Sequence, residues 1–307
     1  MKQAHAFVAG AGMINVDLIY GGLEHIPAEG EEVFSQHFQM RLGGGIPATL
    51  LNLRGLNVPV SIQTALGNDL FSHFAAEEIR RFGTAPLNLY HGSSIPLNIS
   101  SVLLTQRDRT FVSYTGGAGQ AGSYDDAIYR ASTGAAYVQM GMGSPDVYRT
   151  LKAEGTKLLF DTGWDDGLSL ERYRQQLELA DFYTPNQKEA LKITGARSPE
   201  KAAQILSRYF DQVIIKLDKD GCLIQTKGAQ QIIPSIPCFH HRDSTGAGDA
   251  FTAGLLYGLY HGYSFAECVL FGNITGGKCV TGVGCLTERC TEPELLELFH
   301  RYRPSIA

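Results

Sequence analysis

Residues 243–249 read Asp-Ser-Thr-Gly-Ala-Gly-Asp, and the apolar run Ala250 to Tyr260 follows them directly. This order predicts a glycine-rich turn that opens into the first turn of a buried helix. A helix leaves its first backbone N–H groups without intrahelical partners, and its summed peptide dipoles add roughly half a positive charge at that end. Because Gly246, Ala247 and Gly248 carry little or no side chain, the backbone can approach an anion closely. The stretch therefore predicts a site for a developing negative charge.

A carboxylate lies beside this predicted anion site. Asp249 falls in the first helical turn, where it can orient and deprotonate a hydroxyl that attacks a phosphoryl group. The helix N-terminus favours its ionised form, which predicts a weak base, but a loose phosphoryl-transfer transition state needs alignment more than basicity. The alternative is a glycine-rich loop whose aspartate only favours the helix dipole. The full seven-residue string before an apolar helix favours the catalytic interpretation.

Composition indicates an ordinary globular protein. The chain has 307 residues, of which 44% are hydrophobic and 19% are charged. A net charge of −5 argues against a general attraction for nucleic acid or an anionic membrane. No apolar run approaches the roughly 18 to 20 residues that span a bilayer, and the first residues resemble an opening strand, so we expect a cytoplasmic location. Six cysteines without Cys-x-x-Cys spacing predict free thiols.

Short apolar runs alternate with helical patterns over nearly the whole chain, which predicts one α/β domain around a mostly parallel sheet. The predicted strands are Ala6 to Ala9, Val58 to Ala65, Ala135 to Met140, Lys157 to Asp161, Asp181 to Thr184 and Val213 to Leu217. Helices with recognisable ends are predicted at Asp69 to Phe82, Gln187 to Thr194 and Pro199 to Tyr209.

Two stretches do not follow this alternation of strands and helices. No helical period is present from Asp17 to Gln39, and the alternating run from Leu97 to Tyr114 predicts a β-hairpin. Such strands cannot build their own core and need to lie over another part of the protein. We predict a single domain over residues 1–307, with these strands inserted at about residues 17–42 and 97–115.

The string at 243–249 resembles the second signature of the ribokinase-like (PfkB) family of carbohydrate and nucleoside kinases, Asp-Thr-x-Gly-Ala-Gly-Asp, with Ser244 where the family usually has Thr. Residues 43–49 resemble the first signature, although Ala48 or Thr49 stands where the family has Asn. The resemblance implies a ribokinase-like fold with a small β-strand lid over the sugar, which is often also a homodimer contact. It also implies that ATP with Mg²⁺ donates the phosphoryl group, that Asp249 is the base and that the N–H groups of residues 246–249 form the anion hole.

The resemblance also assigns acceptor-binding residues. Asn15 and Asp17 match the family's Gly-x-x-Asn-x-Asp segment, whose polar pair binds substrate hydroxyls. Gly43 and Gly44 belong to the first signature and are our further substrate-binding candidates. An Asx turn at Asn15 and a tight turn without a ligand at the glycines are the structural alternatives. The missing Asn leaves the acceptor undetermined.

For nucleotide binding, Asn186-Gln-Lys-Glu189 matches the family's Asn-x-x-Glu motif. The resemblance implies that this motif positions the phosphates and that Glu189 holds Mg²⁺ through a water. The alternative is that the two residues only cap a helix. Lys216 is either a phosphate contact or a solvated strand-end charge. The cofactor-binding candidates are Asn186, Glu189, Lys216, Gly221, Thr245 and Asn273. The resemblance further implies a monovalent cation, such as K⁺, at Asp243 and Gly284.

The predicted function is ATP-dependent transfer of a phosphoryl group to a hydroxyl of a small neutral sugar or sugar acid. A nucleoside kinase of the same fold is the alternative, with Phe111 and Tyr114 as candidates for an aromatic slot. A non-catalytic sensor of sugars or nucleotides is disfavoured by the intact Asp249 motif. A dehydrogenase is disfavoured because the glycines at 10–12 lack the third glycine and the helix of a dinucleotide fingerprint.

Overall fold

Strands alternate with helices through most of the chain, as the sequence predicted. The computed structural model describes residues 7–116 and 124–306, so Ala6 of the predicted first strand lies outside the described residues. The strands are β1 Val8–Ala11, β2 Asn15–Leu23, β3 His37–Leu42, β4 Val60–Thr64, β5 Leu87–Asn88, β6 Asn98–Thr105, β7 Arg109–Tyr114, β8 Tyr137–Met140, β9 Lys157–Phe160, β10 Phe182–Tyr183, β11 Gln212–Lys216, β12 Cys222–Thr226 and β13 Ala229–Ile233. The helices are α1 Ile46–Gly55, α2 Leu70–Arg81, α3 Asp125–Ser132, α4 Pro145–Ala153, α5 Arg174–Leu179, α6 Gln187–Thr194, α7 Pro199–Leu206, α8 Ala247–His261, α9 Phe265–Cys279 and α10 Glu292–Tyr302.

The central sheet is parallel and has the strand order β10-β9-β8-β1-β4-β5. A bridge between Asn186 and Lys216 places β11 beside β10, and β11, β12 and β13 form an antiparallel sheet. Because parallel strands end at the same edge, the loops that follow them gather there, and ligands bind at such edges in α/β proteins.

Two hydrophobic cores cover the faces of the central sheet. Side chains alternate between the faces of a strand, so Val8 packs in one core and its neighbour Ala9 in the other. The first core holds residues of α1, α2, α8, α9 and α10, and the second holds residues of α3, α4, α6 and α7. This two-sided packing explains why the strands read as continuous apolar runs.

The predicted lid forms a separate sheet with the order β3-β2-β6-β7. Strands β2 and β6 run parallel to each other, and the outer pairs are antiparallel. The lid is therefore confirmed in both predicted stretches. The β-hairpin predicted from Leu97 to Tyr114 is the pair β6 and β7.

Two motifs that suggest other nucleotide folds have structural explanations. A Cβ on Gly10 would lie 2.6 Å from Cγ2 of Ile46, so this glycine lets α1 pack against β1, and strand β2 rather than a helix follows. The Gly272–Cys279 stretch, whose glycines and lysine nearly match a P-loop, lies inside helix α9, where its small residues pack. Within residues 7–116 and 124–306, no helix is long and apolar enough to cross a membrane.

Candidate active site

The glycine-rich turn leads into α8 as predicted. Gly246 has φ 78° and immediately precedes the helix, whose first residue is Ala247. A side chain at Gly246 would also collide with Cys285, so glycine is required there for two reasons. Ala247 donates its N–H to the carbonyl of Ser244 at 3.2 Å, which tightens the turn. The first turn of α8 thus has the geometry of an anion site at a helix N-terminus.

Asp249 lies on this turn and meets the loop before α1. Its Oδ2 accepts a hydrogen bond from the Gly45 N–H at 3.0 Å, and a Cβ on Gly44 would lie 2.5 Å from that same oxygen. The residue is half-buried, and burial of its carboxyl is the largest influence on its pKa. Burial raises the pKa of Asp249 to about 7, although the Gly45 N–H opposes the shift. The expectation of a weakly basic carboxylate is therefore wrong, because desolvation outweighs the Gly45 hydrogen bond and the Lys216 charge.

A polar surface from the lid faces the opposite side of the Gly43–Gly45 loop. A Cβ on Gly43 would lie 2.7 Å from Cβ of Asn15 and 3.0 Å from Oδ2 of Asp17. Asn15 donates to the Gly44 carbonyl at 3.3 Å. Burial raises the pKa of Asp17 to about 6, and the nearby Asp243 carboxylate adds to the shift. The four predicted acceptor residues are thus neighbours, close to Asp249.

Three further polar side chains extend this surface. Asn98 pairs in register with Asn15 and donates to its Oδ1 at 2.8 Å. Ser100 is the register partner of both Asp17 and Ser113, and the two serine hydroxyls are 2.8 Å apart. Residues paired in register point to the same face of a sheet. This lid face therefore offers a row of hydroxyl, amide and carboxylate groups that suits a polyol.

Lys216 lies beside the first turn of α8 and is almost buried. Its Nζ is 3.2 Å from Oδ2 of Asp161, its side chain is 14% exposed, and a Cβ on Gly248 would lie 3.3 Å from the ammonium. Burial alone would lower the pKa of Lys216, but the carboxylates of Asp161 and Glu189 outweigh it, so the net pKa is raised. The interpretation of Lys216 as a solvated strand-end charge is wrong. It carries a fixed positive charge next to the anion turn.

Asn186 and Glu189 form a capping box at the start of α6. The Asn186 side chain accepts the Glu189 N–H at 3.0 Å, and the Glu189 carboxylate accepts the Asn186 N–H at 2.8 Å. Burial raises the pKa of Glu189, and Lys216 opposes that shift. The capping alternative is confirmed, and the same cap holds Glu189 beside Lys216.

Two of the predicted nucleotide contacts, Asn273 and Gly221, have roles in the fold. The Asn273 amide donates to the carbonyls of Ile233 and Pro234 at 3.0 and 2.9 Å, and its oxygen accepts from the Cys222 thiol at 3.2 Å. Gly221 has φ 90°, and a side chain there would collide with the Ile233 carbonyl. These contacts fix the β12–β13 hairpin against α9, and a nucleotide contact at either residue stays a prediction.

The loop before the anion turn is tied to the lid. Asp243 Oδ1 accepts the N–H and hydroxyl of Thr245 at 3.0 and 2.8 Å, and its Oδ2 accepts the Gly284 N–H at 2.9 Å. Arg109 of lid strand β7 donates to Asp243 Oδ1 at 2.6 Å and to Thr245 Oγ1 at 2.7 Å. Burial alone would raise the pKa of Asp243, but these hydrogen bonds and the guanidinium hold it below its usual value.

A cavity of about 460 Å³ begins at Gly45 and extends along the carboxyl edge of the central sheet. Its described lining is mostly apolar, and Asp161 is the one charged side chain in that lining. The main lining groups are Met13, Ile46, Leu89, Met140, Tyr148 and Phe160, with Gly141 and Gly143 at the end of β8. The cavity therefore offers an apolar space next to the candidate base.

Comparison with known proteins identifies the family. The sequence pattern described as pfkB family carbohydrate kinase matches residues 5–291. The chain belongs to this family. As a PfkB-type carbohydrate kinase, the protein is an ATP-binding phosphotransferase whose acceptor is an alcohol group.

Individual relatives agree with this assignment. A ribokinase of Arabidopsis thaliana is 26% identical over 307 aligned residues, which cover 94% of this chain and 79% of the relative. The structure of Arabidopsis thaliana ribokinase complexed with ribose and ATP has a TM-score of 0.83 at 23% identity, over 95% of this chain and 98% of that one. A Methanocaldococcus jannaschii nucleoside kinase has a TM-score of 0.78 at 20% identity, over 96% and 98%. At these structural identities the shared property is the fold.

The kinase has carboxylates suited to Mg²⁺. Mg²⁺ keeps several waters and is usually held by one or two carboxylates together with substrate phosphates. Asp161 and Glu189 supply two carboxylates beside the anion turn, and no cluster of three or more metal-ligating side chains occurs in the part of the chain that the structure describes. These residues fit a hydrated Mg²⁺ shared with ATP, which would neutralise phosphate charge when bound.

Some residues of the site were not predicted from the sequence. Asp161 could have been found, since it ends a predicted strand at the sheet edge where the other candidates gather. The pairing register of the lid strands has to be known before Asn98, Ser100 and Ser113 can be assigned to the site. No local sequence pattern marks Arg109 as a site residue, because its partner Asp243 is 134 residues away.

Proposed function

We propose that this PfkB kinase transfers the γ-phosphoryl group of ATP to a hydroxyl of a small neutral sugar, with Asp249 as the base. The position of the Asp249 carboxylate carries the proposal. It lies between the polar lid face of Asn15 and Asp17 and the anion turn at Gly246. An acceptor hydroxyl held on the lid face is thus brought to a base and to the phosphoryl site together.

The groups at the site have separate roles in phosphoryl transfer. Asp249 removes the hydroxyl proton, and its raised pKa makes it a stronger base than an ordinary aspartate. The first turn of α8 and the Lys216 ammonium stabilise the charge of the transferred group. Asn15, Asp17 and the lid polar groups orient the ring and exclude water, which is most of what phosphoryl transfer requires.

Charge at the acceptor site favours a neutral substrate over a sugar acid. The described cavity lining contains no lysine, arginine or histidine, and Asp161 and Asp17 would repel a carboxylate or phosphate on the acceptor. We therefore narrow the predicted acceptor class to neutral sugars. A panel of sugars, sugar acids and nucleosides in a coupled ATP-consumption assay tests this, and turnover of acids alone would contradict it.

A nucleoside is the second candidate, and the apolar cavity is the observation that favours it. An aromatic base attached to the sugar could fill this space. The predicted aromatic slot divides between the lid faces: Phe111 is the register partner of Val102 on the face that carries Asp17 and Ser100, whereas Tyr114 lies on the other face. Of the two aromatic candidates, only Phe111 remains part of this alternative.

A rim substitution distinguishes the two acceptors. Gly143 lines the cavity, and a Cβ there would meet no atom within 4 Å, so the backbone leaves room for leucine at this rim position. We expect Gly143→Leu to raise the KM of a nucleoside about tenfold and to leave that of a bare sugar unchanged. Gly143→Ala is the matched control and should leave both values unchanged. Equal losses for both acceptors would show that the cavity does not discriminate between them.

The pH dependence follows from two carboxyls that are active when ionised. Since burial raises the pKa of Asp249 to about 7, kcat/KM should fall about tenfold per pH unit below that value. Below about pH 6 protonation of Asp17 should steepen the fall. Asp17→Asn should remove the lower break and keep the upper one. A profile that stays flat between about pH 5 and 8 would contradict this assignment.

We also propose that two copies of the kinase associate through the lid. Strand β7 is an edge strand, and Val112 on its outer face is 65% exposed. An exposed edge strand with apolar side chains favours pairing with another chain. Sedimentation equilibrium measures this directly, and a monomer at micromolar concentration would contradict the proposal.

A further inference from the structure

The carboxylate expected to hold a monovalent cation already has a complete set of protein partners. Asp243 Oδ1 accepts three hydrogen bonds, from the Thr245 N–H, the Thr245 hydroxyl and the Arg109 guanidinium. Its Oδ2 accepts the Gly284 N–H. A carboxylate has about four lone-pair positions, so little capacity remains for a metal ion.

Two carbonyls of the surrounding loop are also engaged by protein donors. A weakly hydrated cation is held by carbonyl oxygens that replace its water shell. Gly284 presents its N–H toward Asp243. The Val280 carbonyl accepts the N–H groups of Arg242 and Asp243 at 2.7 and 3.2 Å, and the Val283 carbonyl accepts the Thr287 hydroxyl at 2.7 Å. These residues do not fit K⁺ as they stand.

Arg109 supplies a positive charge at this place. One guanidinium nitrogen lies 2.6 Å from Asp243 Oδ1 and 2.7 Å from Thr245 Oγ1. The Asp243 side chain is only 16% exposed, so the ion pair is partly shielded from water. The guanidinium also lies 5.8 Å from the ring centre of Phe111, its neighbour on the same face of β7. Arginine remains charged at every physiological pH.

We propose that Arg109 is a built-in replacement for the monovalent cation, which fixes the loop 243–245 before the anion turn and makes turnover independent of K⁺. The loop continues directly into Gly246 and α8, so its position sets the position of the anion site. Arg109 is a positioning residue in this scheme, since it acts on the phosphoryl site through Asp243 and Thr245.

The same contact couples the lid to catalysis. Strand β7 carries Arg109, and the adjoining strands of that sheet carry Asp17 and Ser100. Arg109 therefore ties the strand that borders the acceptor face to the loop that precedes the anion turn.

The experiment compares the wild type with Arg109→Ala in KCl, guanidinium chloride and choline chloride at equal ionic strength. Arg107→Ala, which removes an exposed arginine from the same hairpin turn, is the matched control. We expect wild-type kcat to be the same in KCl and choline chloride. Arg109→Ala should lose about ten- to a hundredfold in kcat in choline chloride and regain severalfold with K⁺ or guanidinium. Arg107→Ala should behave as the wild type.

Thermal unfolding provides a readout that needs no acceptor. K⁺ should raise the Tm of Arg109→Ala above its value in choline chloride and leave the wild-type Tm unchanged. The rate measurements rest on the proposed kinase function, so a wild type inactive on every acceptor would reject that function and leave the Tm comparison to decide this inference. Activation or stabilisation of the wild type by K⁺ would overturn it. The inference would also be overturned if Arg109→Ala had the same kcat as the wild type in choline chloride. It would be overturned as well if the variant had a low kcat that neither K⁺ nor guanidinium raised.

Discussion

Replacing Asp249 by asparagine should lower kcat by about 10²- to 10⁴-fold, which is the usual contribution of a general base. The amide oxygen of asparagine can still accept the Gly45 N–H, now 3.0 Å from Asp249 Oδ2, so the loop before α1 stays in place. Asparagine cannot accept the hydroxyl proton. The loss should therefore appear in kcat, with the KM for ATP nearly unchanged, in steady-state assays with the best acceptor from the panel.

Stability provides the control for this variant. Folding raises the pKa of Asp249 to about 7, so the ionised carboxylate lowers stability above the unfolded-state pKa. At pH values near 8, Asp249→Asn should thus keep or raise the Tm while activity falls. Asp220→Asn, which changes an exposed aspartate in the turn after β11, should leave both quantities unchanged. A folded Asp249→Asn enzyme that keeps most of its activity would contradict the mechanism.

Local signals were sufficient to predict most of the fold and the phosphoryl half of the site. Apolar runs gave the parallel strands, and helix ends such as Asp69 were marked by caps: its side chain accepts the N–H groups of Phe71 and Ser72. The seven-residue string at 243–249 gave the turn, the start of α8 and the candidate base, because glycine conformation and helix termini are determined by neighbouring residues. These features need no knowledge of distant contacts.

Properties set by distant partners could not be predicted in this way. The direction of the Asp249 pKa shift depends on desolvation near Gly45, which is 204 residues away in the chain. The position of Lys216 at the end of a strand is typical of a solvated charge, but its ammonium lies beside Asp161, which is 55 residues earlier in the chain. The Asn273 amide donates to the carbonyls of a hairpin about 40 residues earlier, a role that no local pattern indicates. In each case burial and tertiary pairing decide the chemistry of a polar side chain.

Lys216 is the second residue whose loss should have a large effect. Its ammonium is shielded by the fold and interacts with the carboxylates of Asp161, Glu189 and Asp249. Lys216→Met keeps most of the side-chain volume and removes the charge. We expect kcat to fall about 10²- to 10³-fold, because the transferred phosphoryl group loses a preorganised cation. The free energy of unfolding should also fall by about 1–3 kcal/mol, because Asp161 and Glu189 remain partly buried without their partner.

The pH profile distinguishes an electrostatic role of Lys216 from a merely structural one. Lys216 lowers the pKa of Asp249 in the folded enzyme, so its removal should move the midpoint of the kcat/KM profile upward from about 7. Lys216→Arg retains the charge and should keep the midpoint even if altered geometry slows the reaction. Lys219→Met removes an exposed lysine three residues further on and should change neither rate nor midpoint. If Lys216→Met lost stability but kept its rate and midpoint, the lysine would only hold β11 to β9, and the charge at the phosphoryl site would have to come from the α8 turn alone.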